Sequence, residues 1–165
     1  MKTLITFIIG LIAAPILFGL AAILGWLPSD AASDPPAWES KIGMRALDAS
    51  LEKRSGGLEN PVAANDSRAL AAGRKIYTDN CAGCHGSTGK PSAFGSGFYP
   101  RAPQFFEEGT DVDPKEAYAA IRDGVRYSGM PAWHGQLSDK QIWQTANFVA
   151  KIRAPAGKAM NMDRD

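Results

Sequence analysis

The hydrophobic pattern of this 165-residue chain begins with a long apolar block at the N-terminus. Between Thr3 and Ser29 there is no Asp, Glu, Lys, Arg or His. About 20 apolar residues in a helix, rising 1.5 Å each, cross the hydrocarbon core of a bilayer. The pattern therefore predicts one membrane-spanning helix at about residues 4–27, within an anchor that covers residues 1–29.

The length of this block favours a retained anchor over a secretory signal, whose apolar region usually has about 7–15 residues. The small residues of Ala31-Ala32-Ser33 would suit a signal protease, so a cleaved signal stays an alternative. Lys2 is the only charged side chain before the block. The positive-inside rule then places the N-terminus in the cytoplasm and the rest of the chain on the outside.

The segment at residues 30–66 has the composition of a linker interrupted by one helix. Its first part, up to Pro36, is rich in Pro, Ala, Ser and Asp. Apolar residues then recur at helical spacing, which predicts an amphipathic helix at about 37–54. They form two neighbouring rows: Trp38, Ile42, Ala46 and Ala49, and Met44, Leu47 and Leu51. We expect this helix to pack on the following domain or on the membrane surface, with docking on a partner complex as the alternative.

Residues 67–155 contain further helical patterns and no alternating run long enough for a strand. The first pattern starts with Ser67 as the expected N-cap and continues to Tyr77. Gly73 lies on the same face as Tyr77, four residues earlier. A glycine at this position would let another helix approach closely, and we expect that partner near the C-terminus.

Two later helices have clear start and stop signals. The first of them, Asp113–Gly124, starts with an aspartate cap followed by a proline and stops at a glycine. The second follows the capping box Ser138–Gln141 and continues to Arg153, with Pro155 and Gly157 as its expected end. The whole pattern predicts an all-α domain at 67–155 and a tail at 156–165.

Both cysteines of the chain lie in the run Cys81-Ala82-Gly83-Cys84-His85. Two thiols at this spacing add to the two vinyl groups of one haem, and the following imidazole ligates the iron from the same side. A thioredoxin-type pair requires a βαβ pattern, a structural zinc site requires four ligands, and a plain disulfide leaves the histidine unexplained. The run therefore predicts one haem c, covalently attached through Cys81 and Cys84.

A second informative run, Ser128-Gly129-Met130-Pro131-Ala132-Trp133-His134, follows the Asp113–Gly124 helix. A thioether on a tight, proline-stiffened loop can ligate the open face of the iron. We expect Met130 in this role. His134 is the rival ligand, and bis-histidine ligation would lower the reduction potential. Trp133 is expected to pack on the haem edge or to donate its indole N–H to a propionate.

With these motifs, Ser67–Arg153 resembles the class I c-type cytochromes. The resemblance rests on Cys81–His85, Gly129-Met130-Pro131, Gly73 and Tyr77 on the first helix, and Trp143 on the last. It implies a class I cytochrome c fold around one haem, with His85 as proximal and Met130 as distal ligand. It also implies that the first and last helices cross beside the haem. Finally, it implies that a proline carbonyl, that of Pro103 or else Pro100, accepts the N–H of the proximal imidazole.

An iron with protein ligands on both sides has no open position for a substrate, which indicates electron transfer rather than catalysis. We expect a membrane-tethered carrier of the respiratory chain, on the periplasmic side of a bacterial inner membrane. It would pass single electrons from a quinol-oxidising complex or dehydrogenase to a terminal oxidase or reductase. The alternatives are a fixed haem c subunit of a respiratory complex and, in less agreement with the ligands, a haem-based gas sensor or enzyme.

The charge balance bears on the partners. The chain has 18 basic and 17 acidic residues and a net charge of +1, whereas a nucleic-acid-binding protein is usually far more basic. We therefore expect redox proteins in or at the membrane as partners, and no nucleic acid.

Overall fold

The computed structural model describes residues 2–154, which form eight helices and no strand. The helices are α1 (Lys2–Ile23), α2 (Ala37–Ser55), α3 (Ser67–Asn80), α4 (Ala82–His85), α5 (Ala93–Ser96), α6 (Phe105–Glu108), α7 (Pro114–Asp123) and α8 (Asp139–Val149). Two units can be distinguished: one holds α1 and ends at Asp30, and the other begins at Ala31 and holds α2–α8. The predicted all-α class is confirmed.

Helix α1 is long and apolar enough to cross a membrane. Its segment Thr6–Ile23 has a mean hydropathy of 2.4. The helix ends at Ile23, earlier than the predicted limit of residue 27, and Gly25 follows with a φ of 74°. A signal sequence near the N-terminus can meet the same test of length and hydropathy, so retention of the segment depends on processing rather than on the helix itself.

Helix α2 packs on α7 through one of its two apolar rows. Leu47 and Leu51 of that row are half-buried, and Ser55 at the end of the helix is buried. In the other row, Trp38 is 64% exposed and Ile42 is 62% exposed. The expected packing on the following domain is therefore confirmed for the Leu47 row, while the Trp38 row faces outward.

The core of the second unit lies between α8 and its neighbours α3 and α7. Ile142 and Ala146 of α8 are fully buried, and the Trp143 ring stacks on Tyr118 of α7 with ring centroids 4.0 Å apart. At the crossing with α3, a Cβ on Gly73 would overlap the backbone carbonyl of Gln144. The close approach expected at this glycine is confirmed, and α8 is the partner helix.

We expect Gly73→Ala to lower the free energy of unfolding by about 1–3 kcal/mol, because the added methyl group forces α3 away from α8. Urea unfolding followed by circular dichroism measures the change. Gly43→Ala, inside α2 with no atom within 4 Å of the added Cβ, is the matched control. It should be neutral or stabilising by up to about 1 kcal/mol, since alanine is the better helix former. Equal stability of the two variants would contradict the close crossing.

Most helix-capping predictions agree with the structure. The Asp113 side chain accepts a hydrogen bond from the Lys115 N–H at 2.7 Å, and Gly124 follows α7 with a φ of 70°. The Ser138–Gln141 capping box is present with both of its hydrogen bonds. These local signals are sufficient because each involves only residues within one helical turn.

Two predicted helix ends were wrong. The N-cap of α3 is Asp66 rather than Ser67, because the Asp66 carboxylate accepts hydrogen bonds from both the Arg68 and Ala69 N–H groups. Helix α8 ends at Val149 rather than at Arg153.

Beyond Val149 the chain tightens into three-residue turns. The Lys151 N–H donates to the Phe148 carbonyl at 3.0 Å, and the Ile152 N–H donates to the Val149 carbonyl at 2.9 Å. The Arg153 guanidinium then donates to the Ala150 carbonyl at 2.9 Å, which satisfies one of the groups that a helix end leaves free. The predicted stop at Pro155 and Gly157 and the tail at 156–165 lie outside the described residues.

Candidate haem-binding site

The two cysteines and His85 are brought together by a single helical turn. Cys81 follows α3, and Cys84 and His85 belong to α4. The N–H groups of Cys84 and His85 both donate to the Cys81 carbonyl, at 3.1 and 2.9 Å. Positions three and four apart share one face of a helix. Both cysteines are half-buried free thiols, so this face carries two thiols beside one imidazole.

The Cys81 thiol lies in an apolar setting. It packs against the buried cluster of Tyr77, Val149 and Ile152. Burial raises the pKa of Cys81 to about 12, with a smaller contribution from the nearby Cys84. At neutral pH the thiol of Cys81 therefore keeps its proton in this conformation.

The orientation of His85 is set by a backbone carbonyl. Nδ1 of His85 lies 3.0 Å from the Pro103 oxygen. A carbonyl oxygen can only accept, so Nδ1 carries the proton and the lone pair of the neutral ring is on Nε2. This is the contact that the resemblance implied for Pro103, and it leaves Nε2 available as a metal ligand.

The surroundings keep the His85 ring neutral and fixed. The Phe105 ring stacks on it, with centroids 4.7 Å apart and planes within 6° of parallel. Burial lowers the pKa of His85, although the hydrogen bond to Pro103 opposes this effect. A neutral ring in one orientation is the form in which histidine binds metals.

Two polar side chains to which the sequence analysis gave no hydrogen-bonding role hold the backbone of the motif: Tyr77, named there only for its helix face, and Gln104, which was not named. The Tyr77 hydroxyl donates to the Gly86 carbonyl at 2.9 Å and also lies 3.2 Å from the His85 carbonyl. The Gln104 amide donates to the Cys84 carbonyl at 2.9 Å. Both side chains are almost fully buried. The partners are 8 or 9 positions away for Tyr77 and 20 positions away for Gln104, beyond one helical turn, so the spacing within the motif carried no signal for them.

The turn that carries Cys84 and His85 is also closely packed by neighbouring backbone. Gly86 has a φ of 73°, and a Cβ there would lie 2.9 Å from Oε1 of Gln104. On α5, a Cβ at Gly95 would overlap the Cys84 carbonyl. Helix α5 can therefore lie directly against the turn that carries Cys84 only because residue 95 is glycine.

We expect Tyr77→Phe to lower the free energy of unfolding by about 1–3 kcal/mol, because the buried carbonyls of His85 and Gly86 lose their donor. Burial holds the pKa of Tyr77 far above its ordinary value, so the hydroxyl remains a donor at physiological pH. Denaturant unfolding measures the loss. Tyr127→Phe is the control, because Tyr127 is 89% exposed. If both variants unfold alike, the Tyr77 hydroxyl has no stabilising role.

The loop that carries Met130 is attached to the end of α7. Its Met130 carbonyl accepts a hydrogen bond from the Val125 N–H at 3.2 Å, and its Met130 N–H donates to the Ser128 hydroxyl oxygen at 3.1 Å. That hydroxyl in turn donates to the Val125 carbonyl at 2.7 Å. The side chain of Met130 is half-buried against the core between α7 and α8. The thioether is thus held on a loop whose backbone is fixed on both sides.

Trp133 and His134 continue this attachment through their backbones. Their N–H groups donate to the carbonyls of Ile121 and Arg122, each at 3.1 Å. The Trp133 side chain packs against the α7–α8 core. The expected role of Trp133 beside a haem stays a prediction. The imidazole of His134, the rival ligand, is exposed.

The chemistry of these side chains fits haem c. Thiols at the correct spacing, an imidazole with a free Nε2 and a thioether on a separate fixed loop are the donors that covalent attachment and axial ligation require. The all-α fold around them and the comparisons with known proteins agree: the chain belongs to the class I c-type cytochromes. Residues 68–149 match the family described as cytochrome c oxidase, cbb3-type, subunit III.

Three curated relatives show how this chain relates to the family. Cytochrome c6 of Leptolyngbya boryana is 35% identical over 81 residues, which cover 48% of this chain and 87% of that protein. The cbb3-type cytochrome c oxidase subunit FixPc of Rhizobium leguminosarum bv. viciae is 34% identical over 89 residues, covering 53% of this chain and 29% of the relative. The FixP subunit of Sinorhizobium medicae is 33% identical over 99 residues, covering 53% of this chain and 32% of the relative.

The match therefore spans about a third of the length of the two oxidase subunits. Among solved structures, a chain of the Kuenenia stuttgartiensis reducing HAO-like protein complex is 25% identical, with a TM-score of 0.45 over 59% of this chain and 48% of that chain.

Proposed function

We propose that this protein is a membrane-tethered monohaem cytochrome c that transfers single electrons on the periplasmic side of a bacterial inner membrane. The observation that supports this proposal most directly is the hydrogen bond between His85 Nδ1 and the Pro103 carbonyl, which leaves the lone pair of Nε2 available to bind a metal. Cys81 and Cys84 would hold the haem covalently, and Met130 would supply the second axial ligand. When bound, a haem c supplies a one-electron Fe(III)/Fe(II) couple.

In this proposal, the surrounding residues fix the positions of the two ligands, His85 and Met130. The Pro103 carbonyl fixes the His85 ring and raises its basicity as a ligand. The hydrogen bonds from Val125 and to Ser128 hold the Met130 loop. With His85 and Met130 both bound to the iron, no position would stay open for a substrate, and oxidation and reduction would require little rearrangement of the protein. The similarity to a cytochrome c6 supports a carrier rather than an enzyme.

The tether is proposed from α1, whose segment Thr6–Ile23 has the length and hydropathy of a membrane span. A tethered domain meets membrane-bound partners at a raised local concentration. From Ser67 onward there are 13 basic and 10 acidic residues, so the polypeptide contributes only +3 to electrostatic steering. Recognition of a quinol-oxidising complex or dehydrogenase and of a terminal oxidase or reductase would then depend weakly on ionic strength.

A second candidate function is that of a fixed haem c subunit in a respiratory complex. It is favoured by the similarity to the FixP subunits, which are named as parts of cbb3-type cytochrome c oxidases. The outward row of α2, with Trp38 and Ile42 largely exposed, provides an apolar surface of the kind that a subunit contact covers.

Mass spectrometry of the intact protein extracted from membranes tests the main proposal. The expected mass is that of the full chain, including α1, plus one haem. A mass without haem, or with the pigment lost on denaturation, would overturn the covalent site. Loss of the first 30 or so residues would instead overturn the tether.

Mild detergent extraction then separates the two candidates. A free monomer that exchanges electrons rapidly with separately purified oxidase supports the carrier. Co-purification in a fixed ratio with other haem or copper subunits supports the complex subunit.

A further inference from the structure

We propose that helix α2 braces the Met130 loop, with Arg54 and Glu39 as positioning residues for the sulfur ligand. This inference rests on the proposed function, because it takes Met130 as an axial ligand. It concerns a helix that lies outside residues 68–149, the part of the chain that matches the family. Two contacts, one at each end of α2, connect the helix to the segments on which Met130 depends.

The first contact is made by the C-terminal end of α2. The Arg54 guanidinium lies 3.4 Å from Oδ2 of Asp123, the last residue of α7. The two side chains are only 29% and 27% exposed, so solvent screens this pair less than a fully exposed one. Arg122 also donates to Asp123, at 2.8 and 3.1 Å, and thereby fixes the carboxylate in place.

Asp123 belongs to the segment that supports the Met130 loop. The carbonyl of the preceding residue, Arg122, accepts a hydrogen bond from the His134 N–H. The following residue, Gly124, lies so close to the loop that a Cβ there would be 2.9 Å from the Met130 carbonyl oxygen. Arg54 is therefore attached, through Asp123, to the backbone that holds Met130.

The second contact is made by the N-terminal end of α2. The Tyr99 hydroxyl donates to Oε1 of Glu39 at 3.0 Å. The preceding residue, Phe98, lies against the other side of the Met130 loop: a Cβ on Gly129 would be 2.8 Å from its ring. Phe98 is itself held by an edge-on contact with Phe94, with ring centroids 4.8 Å apart. Glu39 is thus connected, through Tyr99 and Phe98, to the residue before Met130.

A rigid helix joins these two contacts. Glu39 and Arg54 are 15 positions apart, which corresponds to about 22 Å along a helix. The chain beyond α2 is also fixed on the core, because the Asn60 amide donates to Asn147 Oδ1 at 2.7 Å and Leu58 packs between α7 and α8. For the Met130 sulfur to leave the iron, the loop would have to move. Helix α2 opposes this movement through its contact with Asp123 at the end of α7 and through its contact with Tyr99, next to Phe98.

The test is the rate at which imidazole binds the ferric, full-length haem protein in detergent, since binding must wait for the Met130 sulfur to leave. We expect Arg54→Gln and Tyr99→Phe each to raise this rate about three- to tenfold, and the double variant to raise it further. The weak sulfur-to-iron absorption band in the red should be weaker in the single variants and weakest in the double variant. On heating, it should disappear at a lower temperature in the same order.

Two controls match these changes. Lys53→Gln removes the same charge from the exposed neighbour of Arg54, and Tyr127→Phe removes the hydroxyl of an exposed tyrosine. Both should bind imidazole at the rate of the unaltered protein. A double variant that binds imidazole no faster than the controls overturns the brace, including when the variant is less stable to urea.

Failure of the underlying assignment gives a different result. If the unaltered protein lacks the sulfur-to-iron band and Met130→Ala leaves its spectrum unchanged, Met130 is not a ligand. Both the distal part of the proposed site and the brace are then wrong. If the unaltered protein has the band but the double variant binds imidazole no faster than the controls, the proposed site stands and only the brace is rejected.

Discussion

Replacing both Cys81 and Cys84 with serine should leave no haem attached to the chain after denaturation. A serine hydroxyl does not add to the vinyl groups as the thiols do, so only axial ligation would remain to hold the cofactor. The expected effect is complete loss of the covalent adduct. Intact-mass measurement and haem staining of the denatured polypeptide detect it directly.

Ala82→Ser is the matched control for this experiment, because it introduces a serine between the two cysteines and keeps both thiols. It should retain the covalent haem. The Nδ1–Pro103 hydrogen bond that orients His85 does not involve either sulfur atom. The double serine variant therefore tests attachment separately from the orientation of the proximal ligand. Pigment that stays with the serine variant through denaturation would contradict attachment at these positions.

Met130→Ala should lower the midpoint potential by about 60 mV or more, which is at least a tenfold change in the one-electron equilibrium. The thioether favours the ferrous state, and its removal leaves one axial position without a protein ligand. The ferrous variant should therefore bind carbon monoxide at once, whereas the unaltered protein should bind it slowly. Redox titration and carbon monoxide difference spectra measure the two effects.

Two further substitutions control for the identity of the ligand. Met44→Ala removes a methionine on α2, where it is 38% exposed, and should change neither quantity. His134→Ala removes the rival ligand, which is exposed and whose backbone N–H is bound to the Arg122 carbonyl. A potential that falls in His134→Ala, and not in Met130→Ala, would contradict methionine ligation.

Features that depend on near neighbours in the chain could be predicted well. The apolar block of α1, the cap at Asp113, the capping box at Ser138–Gln141 and the spacing of Cys81, Cys84 and His85 each involve residues within a few turns. Hydrogen bonds within one turn determine the two caps, whereas the α1 block is recognised by the length of its apolar run.

Helix ends were less predictable where two residues compete for one role. Asp66 and Ser67 both suit an N-cap, and the structure selects Asp66, whose carboxylate satisfies two N–H groups at once. At the other end of the domain, Arg153 bonds to carbonyls of its own turn and of Thr110, so the helix stops at Val149. The cap of α3 is chosen by contacts within one turn, whereas the end of α8 also involves Thr110, 43 positions earlier in the chain.

The two apolar rows of α2 also show what the sequence alone could not predict, namely which row is buried. Both rows have helical spacing, and nothing in their composition distinguishes the buried row of Leu47 and Leu51 from the exposed row of Trp38 and Ile42. The position of α7 decides, together with the contacts that Arg54 and Glu39 make to Asp123 and Tyr99.

By itself, the sequence determined which candidate donors the chain offers: two thiols and an imidazole in one turn, a methionine on a later loop, and an apolar segment ahead of them. Only the folded chain decided how they are held. Pro103 rather than Pro100 meets His85, Tyr77 and Gln104 bind the backbone of the motif, and α2 reaches both supports of the Met130 loop. The physical reason is that donor chemistry belongs to the residue type, whereas orientation depends on partners brought together from distant parts of the chain.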